Sequence, residues 1–212
     1  MAEQAYRERI KTAGEAEKYQ RRRPSRERAE LKLVERAFRL IPETHRVLDI
    51  PCGAGRVTIL LARLGYSVIG AELSEPMISA TRENIARAGL TCPVHREDIE
   101  RMSYEDSAFD TIVCFRLFHH FPSIEVRRRV AKELCRVAGR FVALSYFDPR
   151  SLTSLKRTLR VKLGGKRSKQ HATSLKEVEG YFQENGFRLV RDFAQMPVVR
   201  TLHRALFEHQ QC

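Results

Sequence analysis

The stretch Val47-Leu48-Asp49-Ile50-Pro51-Cys52-Gly53-Ala54-Gly55-Arg56 constrains this chain more than any other. An apolar run from Arg46 to Ile50, rich in β-formers, ends at Pro51, which cannot donate a ladder hydrogen bond and so closes a strand. Gly53 and Gly55 allow a sharp turn and a close approach of backbone to a ligand. Val57 to Ala62 then starts a helix at once, with its unpaired N–H groups facing the turn. Strand, glycine turn and helix form the first unit of a nucleotide-binding α/β sheet. The dinucleotide fingerprint requires a third glycine three residues later, where this chain has Thr58, which disfavours a pyrophosphate reader. Asp49, at the carboxyl end of the strand, would repel a phosphate but suits an ammonium group.

Asp49-Ile50-Pro51-Cys52-Gly53-Ala54-Gly55-Arg56 resembles the first motif of class I S-adenosylmethionine-dependent methyltransferases. A second acid that holds ribose hydroxyls is expected about 20 residues on, and Glu72, ending the run Val68-Ile69-Gly70-Ala71, takes that place. Leu73-Ser74-Glu75-Pro76-Met77 is similar to the family's continuation, in which Met77 packs near the adenine. Arg96-Glu97-Asp98-Ile99 is a partial match to the signature whose acid takes the adenine amino group, with Glu97 where the family has glycine. Asp98 and Ile99 are assigned to cofactor binding on that ground, as are Pro51, Gly53, Gly55, Arg56, Leu73, Phe115 and Arg116. The resemblance implies an α/β fold, a doubly wound Rossmann-like sheet of seven strands, mostly parallel with an antiparallel C-terminal hairpin. It spans Arg46 to Glu208 and is strongest in the first half.

The rest of the chain fits around that core. With 212 residues and 42% apolar content, a single domain with a substantial interior is expected. We divide it into an N-terminal helical cap (1–45), a cofactor-binding core (46–148), a basic amphipathic insert (150–173), and a last helix with a hairpin (174–212). Leu31, Val34, Phe38 and Ile41 share one face of a helix over Arg26–Ile41. Tyr19 and Arg22, just before it, are candidate contacts to the methionine moiety. Strands are expected at Ser67–Ala71, Cys92–His95, Thr111–Phe115, Phe141–Phe147, Phe187–Ala194 and Arg200–Glu208, with Ser74 capping one helix and Gly139 ending another. Ser174 and Glu177 make a capping box. The five cysteines show no zinc or C-x-x-C spacing and read as reduced thiols, so a cytoplasmic protein without a metal is expected.

Leu117-Phe118-His119-His120, after the fourth strand, resembles the segment found there in small-molecule methyltransferases of the ubiquinone and menaquinone type. It lacks the Asn-Pro-Pro-Tyr pattern of base and glutamine N-methylators. His119 or His120 can deprotonate a hydroxyl at neutral pH. Adjacent residues on a helix point about 100° apart, so one of the two at most is expected to face a cavity. Tyr146 and His171 are further pocket candidates. The formal charge of +13 calls for an acidic partner. Arg150 to Lys176 holds nine bases and no acid, with Leu152, Leu155, Leu159 and Leu163 at helical spacing. Three roles suit that insert: a lid for a small anionic or lipid-linked acceptor, a helix lying on an anionic membrane surface, or an RNA-binding patch.

Overall fold

The computed structural model of the chain describes residues 24–164, 170–194 and 202–210. Tyr19, Arg22 and the start of the expected last strand at Arg200 lie outside them. Elements alternate as the sequence pattern requires. Helix α1 (Pro24–Phe38) precedes β1 (Arg46–Asp49), α2 (Arg56–Arg63), β2 (Ser67–Glu72), α3 (Glu75–Arg87) and β3 (Val94–Arg96). Then come β4 (Phe109–Cys114), a 3-10 turn (Phe118–His120), α4 (Ile124–Val137) and β5 (Ala138–Phe147). The described chain ends with α5 (Leu152–Lys162), α6 (Leu175–Gln183), β6 (Phe187–Ala194) and β7 (Leu202–His209).

One seven-stranded sheet results, in the order β3-β2-β1-β4-β5-β7-β6. Strands β1 to β5 pair in parallel, whereas β7 runs antiparallel to both β5 and β6. The strand order reverses beside β1, between β2 and β4, which is where α/β sheets of this kind open a crevice for ligands.

Alternation along each strand sends side chains to two separate cores. Leu48, Ile112, Leu144 and Phe207 pack with Val130, Leu134, Val178 and Phe182 from α4 and α6. On the other face, Val47, Val113, Phe141 and Leu206 meet Val34 and Phe38 from α1 and Leu61 from α2. A fully buried side chain of this size contributes about 1.5–3 kcal/mol, so both faces are anchored. Because α1 closes the second face, it also roofs the crevice on that side.

Several boundaries moved for identifiable reasons. Gly139 does not end α4; the helix stops at Val137, and Ala138 already has extended backbone, so β5 absorbs the glycine. Phe38 ends α1, and Ile41, in the following turn, is still buried. Ser74 occupies the cap position of α3, but its hydroxyl makes no capping bond. Ser174 behaves as its pattern implies, accepting from the Glu177 N–H at 3.2 Å.

Candidate active site

The glycine turn is built from both ends. Gly53 and Gly55 adopt positive φ, 56° and 77°. A Cβ at Gly55 would meet Thr81 Cγ2 at 2.9 Å, so glycine is required there sterically as well as conformationally. The Thr81 hydroxyl donates to the Gly53 carbonyl, and the Cys52 N–H donates to Ala71 on β2 at 2.9 Å. These bonds tie the turn to the neighbouring strand and helix.

Two buried carboxylates flank it. Asp49 Oδ2 accepts from the Thr58 hydroxyl at 2.7 Å, which gives the residue standing at the missing third glycine a task of its own. Burial is the largest influence on Asp49 and pushes its pKa from 3.8 up to about 7, against the opposing Thr58 hydrogen bonds. Glu72 accepts the Leu73 and Ser74 N–H groups on Oε1, at 2.8 and 3.2 Å, and the Gly53 N–H on Oε2, at 3.2 Å. Its pKa is also raised, chiefly by burial. A carboxylate offers about four lone-pair positions, so an acceptor position remains on Oε2 after these three bonds. Such a group suits a donor of the vicinal-hydroxyl kind, and Asp49 suits an ammonium group.

The titration of Asp49 gives a signed expectation. Between about 4 and about 7 the native state binds more protons here than the unfolded chain, so stability falls as pH rises through that window. An ammonium group beside Asp49 would favour the ionised form. Binding of an amino-acid-bearing ligand should therefore strengthen as pH rises from 6 to 8, and calorimetry in buffers of differing ionisation enthalpy should register proton release. An affinity that is flat over this range would contradict the pairing.

Beyond the turn a cleft opens towards solvent. Of the residues assigned from sequence, it gathers Asp49, Pro51, Arg56, Phe115 and Arg116. Arg116 has a φ of 61°, unusual for a residue with a side chain. It is held by its N–H donating to Ser145 Oγ at 2.6 Å and by an ion pair with Glu30 on α1 at 2.7 Å. Strain of this type collects at functional sites.

Glu72 accepts from the turn through the Gly53 N–H and from the Leu73 N–H, whereas Met77 sits half-buried in the first turn of α3. Asp98 and Ile99 follow β3; the neighbouring Glu97 N–H donates to the Glu72 carbonyl, which places them along the same sheet edge. The candidates for proton transfer are grouped elsewhere. Tyr146 is fully buried in the core made with α4 and α6, on the opposite sheet face from Phe115. His119 is buried and stacked on Phe147 at 3.8 Å, beside the half-buried His120. His171 approaches them by donating its N–H to the His119 carbonyl at 2.8 Å. Among the described residues no His, Cys, Asp and Glu cluster could hold a metal.

Sequence reading missed two charged members of the cavity, Glu30 and Arg204. Glu30 lies next to the apolar stripe of α1 and could not be singled out. Arg204 did carry a signal, because it stands between Leu202 and Leu206 on one face of the strand Leu202–His209.

Comparison with known proteins agrees with this geometry. Residues 47–139 match the family model described as a methyltransferase domain. A ubiquinone biosynthesis O-methyltransferase from Coxiella burnetii is 32% identical over 92 residues, covering 43% of this chain and 38% of that one. Its counterpart from Xanthomonas axonopodis pv. citri is 27% identical over 103 residues, 48% and 43% of the two chains. The chain thus aligns with less than half the length of these curated relatives. Magnesium protoporphyrin IX methyltransferase from Synechocystis PCC 6803, solved with bound S-adenosylhomocysteine, superposes with a TM-score of 0.71 at 20% identity. That superposition covers 85% of this chain and 81% of the other. Over residues 47–139 the chain is thus similar to methyltransferase domains, and its sheet shares the fold of solved methyltransferases.

Proposed function

We propose that the protein transfers a methyl group from S-adenosylmethionine to a small hydroxyl-bearing acceptor that is anionic or lipid-linked. The observation that carries this reading is the pair of buried carboxylates at the ends of β1 and β2, joined through the glycine turn. When bound, the cofactor supplies a methyl group on a sulfonium centre, with a neutral thioether as leaving group. The chain's own contribution is alignment and exclusion of water, since an in-line displacement gains most from a held geometry. Asp49 holds the ammonium end, Glu72 the ribose hydroxyls, and Asp98 the adenine edge. His120, half-buried after β4, is our candidate to accept the hydroxyl proton, with His119 as a positioning neighbour that anchors residue 171.

The hydroxyl rests on likeness to O-methyltransferases. The lipid link rests on α5 and the turn after it, where Leu152, Leu155, Leu159 and, in the turn, Leu163 are 46%, 63%, 55% and 78% exposed beside Lys156 and Arg160. An apolar stripe flanked by bases suits the plane of an anionic membrane better than bulk water. No helix among the described residues is long and apolar enough to cross a membrane. Incubation with methyl-tritiated S-adenosylmethionine and phenols bearing carboxylate or prenyl groups should move label into the phenol. His120→Asn should lower that turnover at least tenfold with cofactor affinity unchanged. Label transfer to none of these acceptors, with cofactor bound, would refute the acceptor class.

A further inference from the structure

A buried arginine faces the cavity from a strand that takes no part in the glycine turn. Arg204 on β7 is 3% exposed and lines the cavity. Its Nε and Nη1 have no hydrogen-bond partner among the described residues. The guanidinium lies over the Phe115 ring, 5.5 Å from its centroid. A cation–π contact of this kind returns about 2 kcal/mol at best, less than a buried charge loses on leaving water. Burial pushes its pKa down to about 10, so the group stays cationic at neutral pH. Packing alone does not call for a base here, since Leu206, the next residue on the same face, joins the apolar core.

The charges around the cavity do not cancel. Among the described lining residues, the three bases Arg56, Arg116 and Arg204 outnumber the two acids Glu30 and Asp49. Arg116 is committed to Glu30 at 2.7 Å, and Arg56 is close enough to Asp49 to lower its pKa. Glu30 steadies the Arg204 charge as well, yet Arg204 Nε and Nη1 reach no hydrogen-bond partner among the described residues. Its strand stands apart from the turn, since β7 lies three strands from β1, roughly 14 Å at the usual strand spacing, and the guanidinium reaches back into the cavity over Phe115. The amino-acid end of the cofactor, placed beside Asp49 and Arg56, does not account for it.

We propose that Arg204 anchors a carboxylate of the methyl acceptor through its planar fork, so that the acceptor is an organic monoanion. The inference rests on the methyltransferase reading above. A carboxylate gripped in this way is the handle and not the nucleophile, because its lone pairs are engaged by the guanidinium. The vacant donors of Arg204 are then satisfied only when the acceptor is seated, which ties acceptor recognition to the cation rather than to cofactor binding.

The test compares benzoate with benzamide, its uncharged isostere, on protein saturated with S-adenosylhomocysteine. Acetate and acetamide repeat the contrast without the ring. We expect the carboxylate of at least one pair to raise the melting temperature at a concentration at least tenfold lower than its amide. Arg204→Met should erase that preference while leaving S-adenosylhomocysteine affinity within twofold. Its ligand-free melting temperature should equal or exceed that of the wild type, because an unpartnered buried charge is gone. Arg204→Lys, which keeps the charge without the fork, should fall between the two and serves should the methionine variant fail to fold. Wild-type protein that distinguishes neither pair overturns the inference. So does an Arg204→Met variant that keeps the preference, or one that loses S-adenosylhomocysteine more than tenfold, which would assign the guanidinium to the cofactor's own carboxylate. Wild-type protein that binds no S-adenosylhomocysteine overturns the methyltransferase reading itself, and this inference with it.

Discussion

Glu72→Ala is expected to weaken binding of S-adenosylhomocysteine by about 1–3 kcal/mol, roughly five- to 150-fold. The loss has two parts. Glu72 offers the ligand an acceptor position, and its two oxygens hold the N–H groups of Gly53, Leu73 and Ser74 in place. Removing it leaves the turn less ordered as well as one hydrogen bond short. Asp49→Asn should cost at least as much, because the amide cannot offer a charge to an ammonium group. It should nevertheless be at least as stable as the wild type at pH 8, since a carboxylate whose pKa is raised to about 7 by burial is there forced to ionise. Binding by both variants at wild-type strength would mean that the cofactor lies elsewhere.

The second large effect concerns α5. Changing Lys156, Arg157, Arg160 and Lys162 to Glu should leave S-adenosylhomocysteine affinity within twofold, because none of the described side chains of α5 lines the cavity. Binding to vesicles rich in anionic lipid should fall at least a hundredfold. Each base near such a surface contributes about 1 kcal/mol, and four are both lost and reversed. The exposed leucines set the direction: Leu155 and Leu163 are 63% and 78% exposed, which costs little only if some other phase covers them. An RNA role predicts a different outcome, namely salt-sensitive binding to unrelated RNAs and no protection by vesicles. A charge-reversed protein with full turnover and undiminished vesicle binding would reduce α5 to a solvated helix.

Legibility from sequence followed the physics of each residue. The strand-turn-helix at 46–63 was readable because Pro51, Gly53 and Gly55 each impose a local conformation that few alternatives satisfy. The two acids were readable because they end apolar runs, where an acid has no packing reason to stand. The antiparallel pair at the C-terminus was also foreseen, and β6 and β7 bear it out. Thr58 was noticed only as the residue that is not glycine; its bond to Asp49 is a nine-residue contact that no local pattern announces. Arg204 reaches the cavity only because β7 inserts beside β5, a topological fact absent from its own neighbourhood in sequence. Gly139 misled in the opposite way, since a glycine after a helical stretch signals a stop, yet a central strand tolerated it.

One measurement decides the central claim. Titrating S-adenosylhomocysteine into the wild-type protein in a calorimeter at pH 8 should give a single-site isotherm with a dissociation constant in the micromolar range, about −8 kcal/mol. Folded protein that releases no heat at ligand concentrations well above micromolar would contradict the account.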